Sequence, residues 1–152
     1  MADEAHYEDF AVGQTFRSPA AIVERARIVA FAQEFDPQPQ HLGEREAADS
    51  QFGELVASGW HTAALSMRLL LRALPPIAGG GQGVALDAMA WPHPVRPGDA
   101  LHVEAQVLAL RPSRSRPDKG LVTVACLTFN QRGQIVQKVT HVMMARRRAQ
   151  AD

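Results

Sequence analysis

An aspartate and a histidine stand five positions apart in FDPQPQHL, Phe35 to Leu42, with Pro37 and Pro39 between them. A carboxylate and an imidazole held at a fixed separation can bind one water, orient it, and exchange protons with it and with a substrate. The two prolines supply the stiffness. Each restricts its own φ and biases the residue before it towards extended backbone. Taken alone, Asp36 also reads as the start of an Asp-Pro turn and His41 as a surface histidine.

A second segment adds what an acid/base pair needs beside it. ASGWHT places Ser58 and Gly59 at the start of a long apolar helix. The first N–H groups of a helix lack internal partners, and the dipole there favours negative charge. Glycine lets a ligand approach that backbone closely, so a carbonyl oxygen gaining charge would be stabilised there. Ser58 by itself reads as an N-cap. Together the two segments point to proton transfer beside an activated carbonyl.

Several elements must hold these residues. RARIVAFAQE, Arg25 to Glu34, predicts a short helix with Ile28, Phe31, Ala32 and Phe35 along one face, stopped by Pro37. GEREAADSQFG reads as a small polar helix and turn. WHTAALSMRLLLRAL is apolar nearly all round, except for a line through His61, Arg68 and Arg72, the pattern of a helix buried on most sides. PPIAGGGQG ends it. From Val84 onward the pattern is that of strands: VALDAMAWPHPV is extended, and LHVEAQVLAL sets Leu101, Val103, Ala105 and Val107 on one face. LVTVACLTF and QIVQKVTHVMM follow, joined by the turn NQRG, and VGQTFRSPAAIV supplies a further strand near the start. One sheet wrapped around one buried helix satisfies every apolar face, which makes this a single α+β domain.

The 152 residues suffice for a core without metal or disulfide, and the lone Cys126 excludes a disulfide framework within the chain. Lys+Arg and Asp+Glu balance at 16 each, which argues against a general nucleic-acid or membrane binder. MADEAHYEDF lacks the basic and apolar regions of a signal peptide, and Trp60 to Leu74 is too short to span a bilayer. A cytoplasmic protein is the expectation.

DPQPQH, FGELVASGWHTAALSMRL and WPHPVRPGDAL resemble, in that order and spacing, the corresponding segments of the MaoC-like acyl-CoA dehydratases, which include the (R)-specific enoyl-CoA hydratases. The likeness runs from about Tyr7 to about Ala145. It implies a hotdog fold, a long sheet around a central helix, and a homodimer or higher homo-oligomer with acyl-CoA bound near the subunit interface. It also implies reversible addition of water to a 2-enoyl thioester, with CoA as part of the substrate and no metal or other cofactor. The family's catalytic acid and histidine fall on Asp36 and His41, and its carbonyl-polarising N–H on Gly59. Three positions depart from the family's motif: Phe35 stands in place of glycine, Gln38 of asparagine and Gln40 of an aliphatic residue. These three, with Ser58 and Trp60, are the expected substrate contacts. The alternatives are a hotdog thioesterase, where water attacks the thioester carbonyl, and a non-catalytic acyl-CoA-binding subunit.

Arg111, Arg114, Arg116 and Lys119 crowd RPSRSRPDKG between two strands. Arg114, Arg116 and Lys119 either pair with the phosphates of CoA or form a solvated hairpin loop. ARRRAQAD at the end reads as a frayed tail rather than a nucleic-acid arm. No zinc spacing, HExxH or GxSxG occurs, and GGGQG follows a helix, the wrong context for a dinucleotide loop.

Overall fold

The alternation around Leu101 becomes the centre of the sheet in the computed structural model, which describes residues 3–149. In chain order, after a short 3-10 turn at Tyr7–Asp9, the elements are β1 (Thr15–Arg17), β2 (Ala21–Ile22), α1 (Arg25–Phe35), α2 (Pro39–Leu42), α3 (Glu44–Ala47), α4 (Gly59–Ala73), β3 (Gln82–Ala90), β4 (Ala100–Pro112), β5 (Lys119–Phe129) and β6 (Ile135–Arg146). The strands form one six-stranded sheet in the order β1-β4-β5-β6-β3, with β2 also on β4. Every strand pairing is antiparallel.

Leu101, Val103, Ala105 and Val107 are buried, as the alternation predicts, and they face α4, which packs chiefly on β4. Val122, Val124 and Cys126 of β5 continue the same layer. Burial pushes the Cys126 thiol up to about 12, so it is an inert core group. Within this layer Ser66 and Thr128 satisfy each other at 2.7 Å, which removes the cost of two buried hydroxyls.

Helix α4 departs from expectation in one respect. Of the polar line through His61, Arg68 and Arg72, the two arginines are exposed, but His61 is buried, its ring stacked on Phe31 at 4.8 Å between centroids. Met67 and Leu71 are exposed as well. The sheet covers one side of α4, and α1 covers the side where His61 lies; nothing in one chain covers the third. There, Met67 and Leu71 join Val84 and Leu86 of β3 around an apolar hollow of about 470 Å³. Helix α1 buries Ile28 and Ala32 completely, but Phe35 at its end is exposed and rests on Phe31.

The segments at Glu8 and Asp9 and at Arg147 and Arg148 meet beside β5. Arg147 pairs with Glu8, and Arg148 donates to both carboxylate oxygens of Asp9 at 2.7 Å. Within ARRRAQAD these arginines are therefore anchored rather than frayed; residues 150–152 lie outside the described residues. Among the described residues no helix is long and apolar enough to cross a membrane, and no cluster of acids, histidines or cysteine has metal-site geometry.

The Tyr7 ring lies flat against Gly120 at the start of β5, where an added Cβ would fall 2.2 Å from Tyr7 Cδ2. Gly120→Ala must displace the ring and the turn that carries it. The expected loss is about 1–3 kcal/mol of unfolding free energy, measurable by urea denaturation, whereas a substitution with no effect would place Tyr7 elsewhere.

Candidate active site

Pro37 and Pro39 do two different things. Asp36 closes α1 with its N–H on Ala32 O, and Pro37 prevents the helix from continuing. Pro39 then occupies the first position of α2, where its missing N–H costs nothing. The chain thus leaves one helix and enters the next within three residues, and α2 carries His41 back towards Asp36. A hydrogen bond from Val56 N–H to Gln40 O fastens α2 to the segment leading into α4.

His41 is buried, and its Nδ1 lies 2.7 Å from Val56 O. A carbonyl only accepts, so Nδ1 carries the proton and Nε2 presents a lone pair in the neutral ring. That Nε2 faces Asp36 Oδ2 at 3.5 Å. The separation is too long for a direct strong hydrogen bond. Two acceptors so placed can both receive hydrogen bonds from a single water.

Asp36 itself is held from two sides. Ser58 Oγ donates to Oδ2 at 2.6 Å, and Gln38 Nε2 donates to Oδ1 at 2.7 Å. The hydrogen bond from Ser58 is the main reason its carboxyl lies below the usual carboxylate range; Gln38 acts in the same direction, as does His41 whenever its ring is protonated, and partial burial opposes them. Asp36 is therefore an anion without a cation in contact.

Ser58 is fully buried and is also the N-cap of α4, accepting from Trp60 N–H at 3.2 Å. It touches Asp36 and the helix end rather than open space, so its place is behind the site. Gly59 follows as the first residue of α4, and its N–H takes no partner among the described residues. The need for glycine here is steric. An added Cβ would meet the Trp91 ring at 2.8 Å. Trp91 is fixed by donating its Nε1–H to buried Gln137 at 2.9 Å, and Trp60 packs edge-on against it. A bulge between Asp87 and Ala90, with Ala88 at φ 51°, turns the end of β3 towards this position.

These groups border an open cleft of about 470 Å³, which takes in Asp36, Gln38, Gln40, His41, Gly59 and Trp60. Phe52, Trp91, His93 and Val95 complete its wall. Phe35 lies next to Asp36 in the chain but is not part of the wall. Within one chain Arg114, Arg116 and Lys119 lie far away. Their hairpin caps the end of the sheet where Pro112 pairs with Gly120, whereas the cleft lies by Val136, at the end where Phe129 pairs with Ile135. Trp91, Gln137 and Val56 were not legible as site residues. The one signal was the glycine after Ser58, which permits a close approach without saying by what.

The described geometry has counterparts. The family described as MaoC like domain matches residues 9–128. A solved structure of the MaoC-like dehydratase from Rhodospirillum rubrum is 52% identical, with a TM-score of 0.88 over 96% of this chain and 99% of that one. The uncharacterized protein YdeM of Bacillus subtilis is 33% identical over 82% of this chain and 87% of its own length. The 3-hydroxybutyryl-CoA dehydratase of Methylorubrum extorquens is 35% identical over 73% of this chain and 69% of its own length. A sheet wrapped on one helix is the hotdog fold, and with a match over most of its length this chain belongs to the family of MaoC-like domains.

Proposed function

We propose that the protein adds water reversibly across the double bond of a 2-enoyl-CoA thioester, the reverse reaction dehydrating a 3-hydroxyacyl-CoA. The observation that carries this reading is the pair of acceptors, Asp36 Oδ2 and His41 Nε2, facing each other at 3.5 Å at the mouth of α4. Membership of the MaoC-like family and the likeness to a 3-hydroxybutyryl-CoA dehydratase support it.

A water donating one hydrogen bond to each acceptor turns its lone pair outward, to where a substrate β-carbon can lie. Its oxygen bonds to the β-carbon as one of its protons passes to the pair, and a proton is delivered to the α-carbon. Negative charge collects on the thioester oxygen during this step. The Gly59 N–H, at the positive end of α4, is the group that stabilises it. Asp36 and His41 act as a coupled unit, so the two proton transfers belong to the pair. Gln38, Gln40 and Trp60 border the acyl group or the pantetheine arm. Phe35, exposed beside them, shapes the approach.

The working form is a homodimer. Strand β3 is an edge, and it exposes Val84 and Leu86 next to Met67 and Leu71 of α4. Pairing β3 with its copy across a two-fold axis extends the sheet and covers this apolar face. The two copies of β3 then run in opposite directions, which sets the partner's Gln82 end beside the Ala90 end of this chain, next to Trp91. The partner's β6 and β5 follow at strand spacings of about 4.8 Å. That arrangement carries the partner's Arg114 and Arg116, with the partner's Lys119, towards the cleft, where they meet the phosphates of CoA.

The test is loss of enoyl-thioester absorbance over a panel of straight, branched and dicarboxylic 2-enoyl-CoAs, with free thiol followed in parallel. Hydration without thiol release is expected. Asp36→Asn and His41→Ala should each lower kcat by at least 100-fold while the fold persists. Thiol release in place of hydration would identify a thioesterase; binding without turnover would identify a carrier or assembly subunit.

Leu86→Lys puts a charge on the proposed dimer seam and should give monomers by light scattering, with activity lost although Asp36 and His41 are untouched. Arg114→Ala with Arg116→Ala should raise KM for CoA esters and leave short pantetheine thioesters unaffected. Equal effects on both kinds of thioester would remove the hairpin from CoA binding.

A further inference from the structure

We propose that Ser58 is a positioning residue whose single hydroxyl joins the two halves of the site, capping the helix that carries the Gly59 N–H while holding Asp36 in place by donating to it. The inference rests on the hydration reading for its kinetic consequence only; its structural part concerns Asp36 alone.

The geometry leaves the hydroxyl little freedom. Ser58 is 0% exposed, so no bulk solvent competes for its proton. Its lone pair receives the Trp60 N–H at 3.2 Å, and its proton goes to Asp36 Oδ2 at 2.6 Å. Oδ2 is the same oxygen that faces His41 Nε2 at 3.5 Å. The serine therefore occupies one lone-pair direction of Oδ2 and leaves the other pointing across the gap, where a water is to be bound. Because the serine is also the N-cap, the distance between that water and the end of α4 is fixed through one atom.

The residue type follows from these demands. Ser, Thr, Asp and Asn are all favoured at a helix N-cap. An aspartate would set a second negative charge against Asp36 and offers no donor when ionised. An asparagine accepts through its oxygen and donates through its nitrogen, two atoms on a longer side chain. A hydroxyl alone accepts from the helix and donates to the carboxylate at one point. Gln38, the other donor to Asp36, reaches Oδ1 from the exposed side and has no link to α4.

Without the hydroxyl, Asp36 keeps one donor and takes a proton more readily. A protonated Asp36 can no longer take up a proton from a water held beside it. The titratable groups facing Asp36 are His41 from α2 and, across the cleft, His93 from the segment after β3. Both remain in every variant proposed here, so a change in Asp36 is attributable to Ser58.

The experiment is a carbon-detected NMR titration of the Asp36 carboxyl in the wild type, Ser58→Ala, Ser58→Gly and Ser58→Thr, beside the pH profile of kcat/KM for each. Glycine is included because it is tolerated at N-caps, so the hydroxyl is removed with most of the cap's stability retained. In the Ala and Gly variants the Asp36 midpoint should rise by about one unit, a tenfold gain in proton affinity. The acid limb of kcat/KM should rise with it, with KM little changed. Threonine keeps the oxygen and should keep the wild-type midpoint. Ala and Gly variants with lower thermal stability but an unmoved Asp36 midpoint would overturn the proposal, leaving Ser58 a helix cap and nothing more. The titration needs no substrate. A protein that hydrates no thioester, yet shows the shift, would refute the hydration reading and leave the role of Ser58 standing.

Discussion

A negative charge is held in the cleft by neutral donors. Asp36 has a hydroxyl on one oxygen and a carboxamide on the other, and among the described residues no arginine or lysine is in contact with it. A cation there would stabilise the carboxylate equally well, but it would fill the gap that faces His41. Neutral donors stabilise the charge from behind and leave its front unpaired. The arrangement works only while three separate pieces of chain stay in register: the end of α1, the single turn of α2 and the start of α4. The two prolines, the Val56 contacts to α2 and the serine cap are what keep them so.

The same economy holds on the far side of Gly59. The indole of Trp91 lies where any side chain at residue 59 would have to go. Gln137, buried in β6, fixes the indole through its nitrogen. The helix end that carries the Gly59 N–H is thus walled by a ring anchored in the sheet, next to a bulge at the end of β3. Asp36, His41 and Gly59 come from the helical side and the Trp91 wall from the sheet. Their mutual distance is set by how α4 packs on β4, which makes the apolar layer from Leu101 to Val107 part of the site's geometry as well as its support.

Much of this is legible in the amino-acid sequence. Strand alternation places Leu101 to Val107 in the core, because period two on a half-covered sheet has one solution. The Pro-x-Pro spacing marks Asp36 and His41 as a fixed pair, since proline acts on the backbone directly. Residue type could not reveal what a residue touches across the fold. Ser58 looked like a cap and a substrate contact; it is a cap, and its second partner, Asp36, is 22 positions away. Trp60 is an expected substrate contact by resemblance, but nothing in the residue types says that Trp91 packs against both Gly59 and Trp60. His61 was read as part of a polar line because its neighbours at helical spacing are arginines. The ring is in fact buried against Phe31, and burial, with the positive charges of Arg27 and Arg68 nearby, disfavours its protonation.

The misreading of α4 has a physical source with consequences for assembly. A helix that is apolar nearly all round was taken to be covered nearly all round, and in one chain it is not. Met67 and Leu71 remain in contact with solvent, beside Val84 and Leu86 on an unpaired strand edge. An isolated exposed leucine is ordinary, but four large apolar side chains around one hollow, next to open backbone hydrogen-bonding groups, form a surface that water does not favour. The amino-acid pattern thus encodes more burial than one chain supplies. In the proposed dimer a second copy supplies the remainder, and the same contact brings a basic hairpin towards a cleft with no basic side chain of its own apart from its histidines. The hydrophobic surplus of α4 and the remoteness of Arg114 and Arg116 are then two consequences of a single edge-to-edge pairing.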